Sequence, residues 1–253
     1  MFDASAFCGG WAYRYAAERT VGEVCALLAQ NGLQGAAMTP ADAVLHPEPM
    51  AANRAFLQQV NAGVQDAECT VYAVPVIDPS LPGWQGHLQE CAALSNKRIA
   101  AYKVFPNFHG YDLEAPGINA LAEELARSNT TLCIQLRMED DRAQHHTLRL
   151  PVIPMAAVAA FAQRHPTLNI LLCAPLMAEA RAVSQVENIS VEMSFMETGD
   201  LLNVALGHMG AHRLLLGSHA PLFIPAVGVV KAATDNIDVR AAICTENFRR
   251  LFR

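Results

Sequence analysis

Several features that would assign this chain of 253 residues to a familiar class are absent. Basic residues form neither a stripe nor a cluster and the net charge is −6, which argues against binding to a phosphate backbone. No apolar run is as long as a membrane span, and the first residues lack the basic and apolar regions of a signal peptide. The sequence therefore predicts a cytoplasmic protein without a nucleic-acid or membrane partner.

The cysteines, the glycines and the overall composition exclude further classes. The seven cysteines are odd in number and nowhere form C-x-x-C, so they indicate neither a disulfide framework nor a zinc knuckle. No G-x-G-x-x-G or phosphate-binding loop follows an apolar run, which weakens the dinucleotide and nucleotide alternatives. Low-complexity tracts and linkers are missing too, and hydrophobic residues make up 52% of the chain against 17% charged. We therefore expect one domain with a large core over residues 1–253.

What the sequence does contain is a repeated unit, in which a short apolar run is followed by polar residues and an amphipathic helix. Eight such runs are found, at residues 2–8, 33–38, 69–77, 99–105, 131–136, 168–173, 189–193 and 213–216. Continuous apolar runs are typical of strands in a parallel sheet that is covered on both faces. Eight of them at a spacing near ~30 residues predict an α/β protein, a parallel eight-stranded (β/α)8 TIM barrel.

Signals for helix ends fall between the predicted strands. Thr20 and Glu23 form a capping-box pattern ahead of an apolar helix face, and Pro154 stands where proline is tolerated at the start of another helix. In such a barrel the carboxyl ends of all eight strands meet at one mouth, so residues far apart in sequence can share a site. Polar residues at the strand ends are therefore the candidates for function.

Lys103 stands out because it lies within the apolar fourth run, where an unpaired ammonium is costly. It either anchors the carboxylate or phosphate of a substrate or has a structural carboxylate partner or access to solvent. His109 follows the same run and is a candidate ligand contact, the alternative being a residue outside the mouth. Ser5 and Ser218, at the ends of the first and eighth runs, are further candidates for substrate binding.

Gln135 and Arg137 are two residues apart on the fifth run and project to the same side. Together they offer an amide donor and a bidentate guanidinium to a planar carboxylate. The alternative is that Arg137 pairs with Glu139, Asp140 or Glu192. Glu192 lies within the apolar seventh run, where burial would raise its pKa and make it a general base; a structural ion pair is the competing interpretation.

Four stretches of the chain, taken together, resemble a known family. They are Phe2-Asp3 opening a strand that ends at Gly9, and residues 103–111 (KVFPNFHGY), 214–221 (LLLGSHAP) and 243–252 (ICTENFRRLF). In this order they are similar to the amidohydrolase-related (amidohydrolase 2) family, and the similarity extends over nearly the whole chain. The resemblance implies a TIM barrel and a metal-dependent hydrolase or decarboxylase as the ancestral activity.

The resemblance also implies five metal-ligand positions, a His-x-His pair on strand one, a His after each of strands five and six, and an Asp on strand eight. In this chain they are occupied by Ser5, Phe7, Gln135, Ala174 and His219. Phenylalanine and alanine offer no donor, and a zinc site needs three or four donors in a fixed geometry. We therefore expect no metal and no other cofactor. A rewired site that uses His109, His145, His146 or His219 remains an alternative.

Two hypotheses about function follow. The first is a metal-free hydrolase or lyase that acts on a small anionic, carboxylated substrate such as a lactone or a sugar acid. In that case His219 or Glu192 is the general base, since His219 stands where the family has its catalytic aspartate and titrates in the right range. The second is a catalytically inactive barrel that serves as a small-molecule binding or assembly protein. Apolar outer helices such as residues 155–161 are compatible with a homo-oligomer.

Overall fold

Strands and helices alternate throughout the computed structural model, which describes residues 1–63, 69–97, 99–140, 142–148 and 150–253. The strands are β1 Phe2–Cys8, β2 Gly35–Pro40, β3 Thr70–Ala73, β4 Ala101–Val104, β5 Thr131–Gln135, β6 Ile170–Cys173, β7 Ile189–Glu192 and β8 Leu214–Leu215. The helices are α1 Val21–Gln30, α2 Pro49–Ala62, α3 Trp84–Leu94, α4 Pro106–His109, α5 Pro116–Arg127, α6 Met155–Arg164, α7 Met177–Ala182, α8 Leu201–Met209, α9 Pro225–Lys231, α10 Ile237–Ala241 and α11 Asn247–Leu251.

The strands pair in chain order, all parallel, and close into a barrel. Regular pairing joins β1 to β3 and β4 to β8. The gap between β3 and β4 is bridged at Val76 and Lys103, where the Lys103 N–H donates to the Pro75 carbonyl at 2.9 Å. The seam between β8 and β1 is closed by the Ala4 N–H, which donates to the Leu216 carbonyl at 2.9 Å. The predicted (β/α)8 TIM barrel is confirmed.

The ends of the elements differ from the prediction at a few places. The third strand was predicted over residues 69–77, but regular pairing covers only Thr70–Ala73. Pro75 explains the difference, because a proline has no N–H to donate to a neighbouring strand. The eighth strand is likewise reduced to Leu214–Leu215. After this short β8 the chain is bonded to β1, since the His219 N–H donates to the Ser5 carbonyl at 2.8 Å.

The sequence signals for the start of two helices agree with the structure. Thr20 and Glu23 form the predicted capping box, with the Glu23 N–H donating to Thr20 Oγ1 at 3.2 Å and the Thr20 N–H to Glu23 Oε2 at 2.8 Å. Pro154 immediately precedes α6. Within the described residues, no helix combines the length and the apolar character needed to cross a membrane.

The inward-facing residues of the barrel form three layers, which are a lower apolar layer, a polar layer and an upper apolar layer. Every second residue along β4 and just beyond it belongs to the next layer. Ala101 belongs to the lower apolar cluster, Lys103 is the buried polar residue above it, and Phe105 belongs to the upper apolar cluster. The upper cluster also contains Phe7, Trp11, Val76, Met138 and Leu222. Charged and polar side chains are thus held inside the barrel, beneath an apolar layer at its mouth.

Candidate functional site

Lys103 is a cation in the polar layer, and the residue is 1% exposed. Its Nζ donates to Ser5 Oγ at 3.4 Å and lies 4.5 Å from the centre of the Phe7 ring. No carboxylate lies within 4.0 Å of this ammonium among the residues the structure describes, so it has no structural ion pair there. An ammonium has three N–H donors, and only one long hydrogen bond serves them here. The other two donors have no hydrogen-bond acceptor among the described residues.

His219 is fully buried and packs against the same Phe7 ring that the Lys103 ammonium contacts, and its tautomer is defined. Its Nε2 lies 3.1 Å from the Met138 carbonyl oxygen, and because a carbonyl only accepts, Nε2 must carry the proton. Nδ1 therefore presents a lone pair, which has no hydrogen-bond partner among the described residues. Burial first, and then the charge of Lys103, lower the pKa of His219 to about 3. The ring is surrounded by those of Phe7, Phe195 and Phe223.

Acid is expected to destabilise the protein through His219. With a pKa of about 3 instead of 6.5, the folded protein stays neutral at this ring while the unfolded chain takes up a proton. The loss of stability therefore begins as the pH falls through 6.5 and grows down to about pH 3. At pH 5 this one group should lower the free energy of unfolding by about 2 kcal/mol.

Urea unfolding of the wild type and of His219→Gln at neutral and acidic pH checks this prediction. His212→Gln is the matched control, because His212 is exposed and lies just before β8, at the opposite end of that strand. The control should lose as much stability in acid as the wild type, and His219→Gln should lose less. Equal acid sensitivity in the wild type and His219→Gln would contradict the assignment.

Asp3 joins β1 to the turn after β8. It is 0% exposed and accepts hydrogen bonds from the N–H groups of Ser5 and Ser218, both at 3.0 Å, and from the Ser218 hydroxyl. The Ser218 oxygen in turn accepts from the Ala220 N–H at 3.0 Å. Burial raises the pKa of Asp3, opposed by these hydrogen bonds and by the charge of Lys103. The hydroxyl of Ser218, a predicted substrate contact, is thus bonded to Asp3 in this structure.

Glu192, predicted as a general base, is surrounded by donors. Its carboxylate accepts from the Ala174 N–H, from the Ser194 N–H at 2.6 Å and from the Ser194 hydroxyl at 2.8 Å. Burial raises the pKa of Glu192 and these bonds oppose the shift. A Cβ at Gly217 would lie 2.0 Å from Glu192 Oε2, so this close approach requires glycine. The arrangement places Glu192 as a brace between β6, β7 and β8.

Gln135 and Arg137 are two residues apart, but their side chains do not form a shared carboxylate-binding site in this structure. The Gln135 amide donates to the Arg137 carbonyl at 2.7 Å, and the Gln135 carbonyl oxygen has no partner among the described residues. The Arg137 guanidinium donates to both carboxylate oxygens of Glu179, at 2.7 and 2.5 Å, and to the Ala174 carbonyl at 2.5 Å. Arg137 thus forms an ion pair with Glu179, a carboxylate that the sequence interpretation did not suggest.

The other candidate histidines lie apart from Lys103 and His219. His109 is mostly buried, with Nε2 3.2 Å from the Val44 carbonyl oxygen and Nδ1 3.8 Å from Asp78 Oδ2. Burial lowers its pKa in spite of the Asp78 charge. His145 and His146 are exposed and packed against each other, with ring centroids 4.4 Å apart. His109 thus stands beside the mouth, and the pair lies on the surface.

The residues at the five ligand positions do not fit a divalent metal. Phe7 and Ala174 offer no donor, and Ser5 Oγ is in contact with the Lys103 ammonium. In the part of the chain that the structure describes, no three His, Cys, Asp or Glu side chains come together in a group able to hold a metal ion. The suggested alternative set of histidines is therefore not assembled there either.

A cleft of about 380 Å³ opens above the apolar layer. It is lined by Arg137, Asp140, Arg142, Leu176, Met177, Ala178, Phe195 and Glu197. Phe195 separates it from the interior, since its ring packs edge-on against His219 with centroids 5.0 Å apart. Neither His219 nor Lys103 lines this cleft.

Comparisons with solved structures agree with the barrel. A 5-carboxyvanillate decarboxylase from Sphingomonas paucimobilis has a TM-score of 0.76 at 14% identity, over 100% of this chain and 98% of that one. A putative 2-pyrone-4,6-dicarboxylic acid hydrolase from Pseudomonas putida has a TM-score of 0.66 at 16% identity, over 99% and 96%. A manganese-bound 5-carboxyvanillate decarboxylase from Novosphingobium aromaticivorans has a TM-score of 0.66 at 14% identity, over 90% and 79%.

Other matching structures carry the name amidohydrolase, so the predicted resemblance is confirmed at the level of the fold. No protein-family model matches the chain, and a search of curated proteins finds no match. At these identities the likeness concerns the barrel and its connections, and what the site does must be argued from its own residues.

Two residues of the site were missed by the sequence interpretation. Asp3 is the only charged residue of β1 and shares its alternation with Ser5, which is a signal that could have singled it out. Glu179 was harder to single out, because an acidic residue at the start of a helix is common. Its carboxylate also accepts from the Leu176 N–H at 2.7 Å. Only the packing of α7 against the mouth brings it to Arg137.

Proposed function

We propose that this protein is a hydrolase acting on a small carboxylated substrate, with Lys103 as the carboxylate anchor and His219 as the proton acceptor. The buried Lys103 ammonium carries this proposal. It is enclosed in the barrel without a carboxylate partner among the described residues, which is an energetically costly arrangement unless an anion pairs with it. A substrate carboxylate would supply that partner.

The state of His219 favours hydrolysis over decarboxylation. Its Nδ1 lone pair can accept a proton from an attacking water, whereas a neutral ring whose only proton is held by the Met138 carbonyl is a poor proton donor to carbon. In the absence of substrate the pKa of about 3 makes His219 a weak base. A carboxylate bound to Lys103 would cancel one cause of that low pKa, so substrate binding itself would strengthen the base.

The fold relatives support the substrate class. Two of them are named for 5-carboxyvanillate and one for 2-pyrone-4,6-dicarboxylic acid, and another was crystallised with 2,6-dihydroxybenzoate. All of these molecules are small carboxylic acids, and the second is a cyclic ester. A carboxylated lactone would present its acid group to Lys103 and its ester carbonyl to a water that His219 activates.

A panel of carboxylated aromatic acids and lactones, with 2-pyrone-4,6-dicarboxylate among them, tests the proposal. The wild type should hydrolyse at least one lactone, and kcat should fall about 100-fold or more in His219→Gln because the proton acceptor is lost. His212→Gln should keep the wild-type rate. An undiminished rate in His219→Gln would refute the role of His219.

One observation favours the second candidate, a catalytically inactive barrel that binds a small anion. The polar layer lies beneath the apolar residues of the mouth, and the cleft above it is lined by Phe195 and not by Lys103 or His219. If wild-type protein binds benzoate but turns over no member of the panel, binding without catalysis is the better description.

A further inference from the structure

We infer that the Lys103 ammonium takes the electrostatic place of the divalent metal bound in one fold relative, so that this barrel meets an anionic ligand with a protein cation. A manganese-bound relative shows that the fold can carry a metal. The inference shares the Lys103 anion contact with the proposed function but does not depend on turnover.

Position is the first argument. The two metal-ligand positions implied for strand one are Ser5 and Phe7, and the Lys103 ammonium contacts both, at 3.4 Å from Ser5 Oγ and 4.5 Å from the Phe7 ring centre. Its charge also acts on His219, the strand-eight position. The cation is therefore in contact with two of the five implied ligand positions, and His219, at a third, packs against the same Phe7 ring.

The donor set is the second argument. Gln135 and His219 are neutral, Ser5 is a neutral hydroxyl, and Phe7 and Ala174 have no donor at all. Such a set offers no negative charge to offset a dication, and a fixed ammonium beside it adds repulsion. The carboxylates of Asp3 and Glu192 are fully buried, but they accept hydrogen bonds from Ser218 and Ser194 respectively.

The unsatisfied groups are the third argument. Two of the three N–H donors of Lys103 lack an acceptor within the described ranges, and the Gln135 Oε1 and His219 Nδ1 acceptors lack donors there. Buried polar atoms without partners are rare in folded proteins and point to a missing ligand or water. A carboxylate would bond to the ammonium, and a hydroxyl or water beside it would bond to the two acceptors.

Metal uptake and anion binding, measured separately, test the inference. Purified protein is incubated with Zn²⁺ or Mn²⁺, desalted and assayed for bound metal, and the melting temperature is recorded with and without benzoate, in the presence and absence of EDTA. We expect metal well below one equivalent per chain and a benzoate-induced rise in melting temperature that EDTA leaves unchanged. Lys103→Met should lose the benzoate effect, and Lys103→Arg, which keeps the charge, should retain part of it.

Controls separate the outcomes. The exposed His145 and His146 could hold metal adventitiously, so uptake is also measured in the double variant His145→Ala/His146→Ala. One equivalent of metal that persists in this double variant and is lost in His219→Gln would overturn the inference, as would a benzoate effect abolished by EDTA. Metal-independent benzoate binding without turnover of any panel member would defeat the proposed hydrolase and leave the inference standing.

Discussion

Lys103→Met is expected to remove anion binding while making the fold more stable. Methionine has a similar length and packs well against an aromatic ring such as Phe7, and it carries no buried charge. Replacing a buried ion pair by apolar residues of similar size is often stabilising, by about 1–4 kcal/mol, and removal of an unpaired buried ammonium should act in the same direction. Loss of the ion pair should weaken benzoate binding by about 2–5 kcal/mol, which is about 30-fold or more.

Urea unfolding and titration calorimetry with benzoate measure the two effects on the same preparations. Lys97→Met is the control, because Lys97 is exposed near the opposite end of the barrel and its substitution should change neither quantity. A Lys103→Met variant destabilised by several kcal/mol would show that the ammonium serves the fold, which is the structural alternative left open by the sequence.

Asp3→Ala is expected to lower the free energy of unfolding by about 3–5 kcal/mol, the range for removing one partner from a buried charged network. The substitution leaves the N–H groups of Ser5 and Ser218 and the Ser218 hydroxyl without their acceptor, inside the barrel. It also removes the link between β1 and the turn after β8, where the barrel closes.

A matched control exists within the chain. Asp112 accepts the N–H of Glu114, two residues on, just as Asp3 accepts that of Ser5, but it does so in an exposed turn. Asp112→Ala should therefore cost about 0.5–1 kcal/mol, the ordinary value for one hydrogen bond. Chemical denaturation of the two alanine variants gives the comparison. Similar losses in both would mean that the Asp3 network adds nothing beyond its local turn.

The two predictions describe different uses of buried charge in one layer. Asp3 is buried with its hydrogen bonds satisfied, so its removal should damage the fold. Lys103 is buried with its donors largely unsatisfied, so its removal should relieve the fold and damage binding. A buried group that lowers the stability of the fold is typical of a functional residue.

Pattern in the sequence determined the barrel and several of its details. Eight apolar runs predicted eight parallel strands, because a strand covered on both faces must be apolar along its whole length. Thr20 and Glu23 predicted the start of α1, because a capping box involves only neighbours in sequence. Lys103 was singled out by the same logic, since a charge inside an apolar strand is costly wherever the strand lies.

Tertiary structure alone decided which partners these residues have. Arg137 pairs with Glu179, which belongs to a helix 42 residues further along the chain, and Ser218 bonds to Asp3 across 215 residues. His219 was suggested as a base by its place after the last strand, but its low pKa comes from burial and from the charge of Lys103 on another strand. Periodicity and capping are local properties, whereas hydrogen-bond partners, burial and the field at a site depend on which strands meet when the barrel closes.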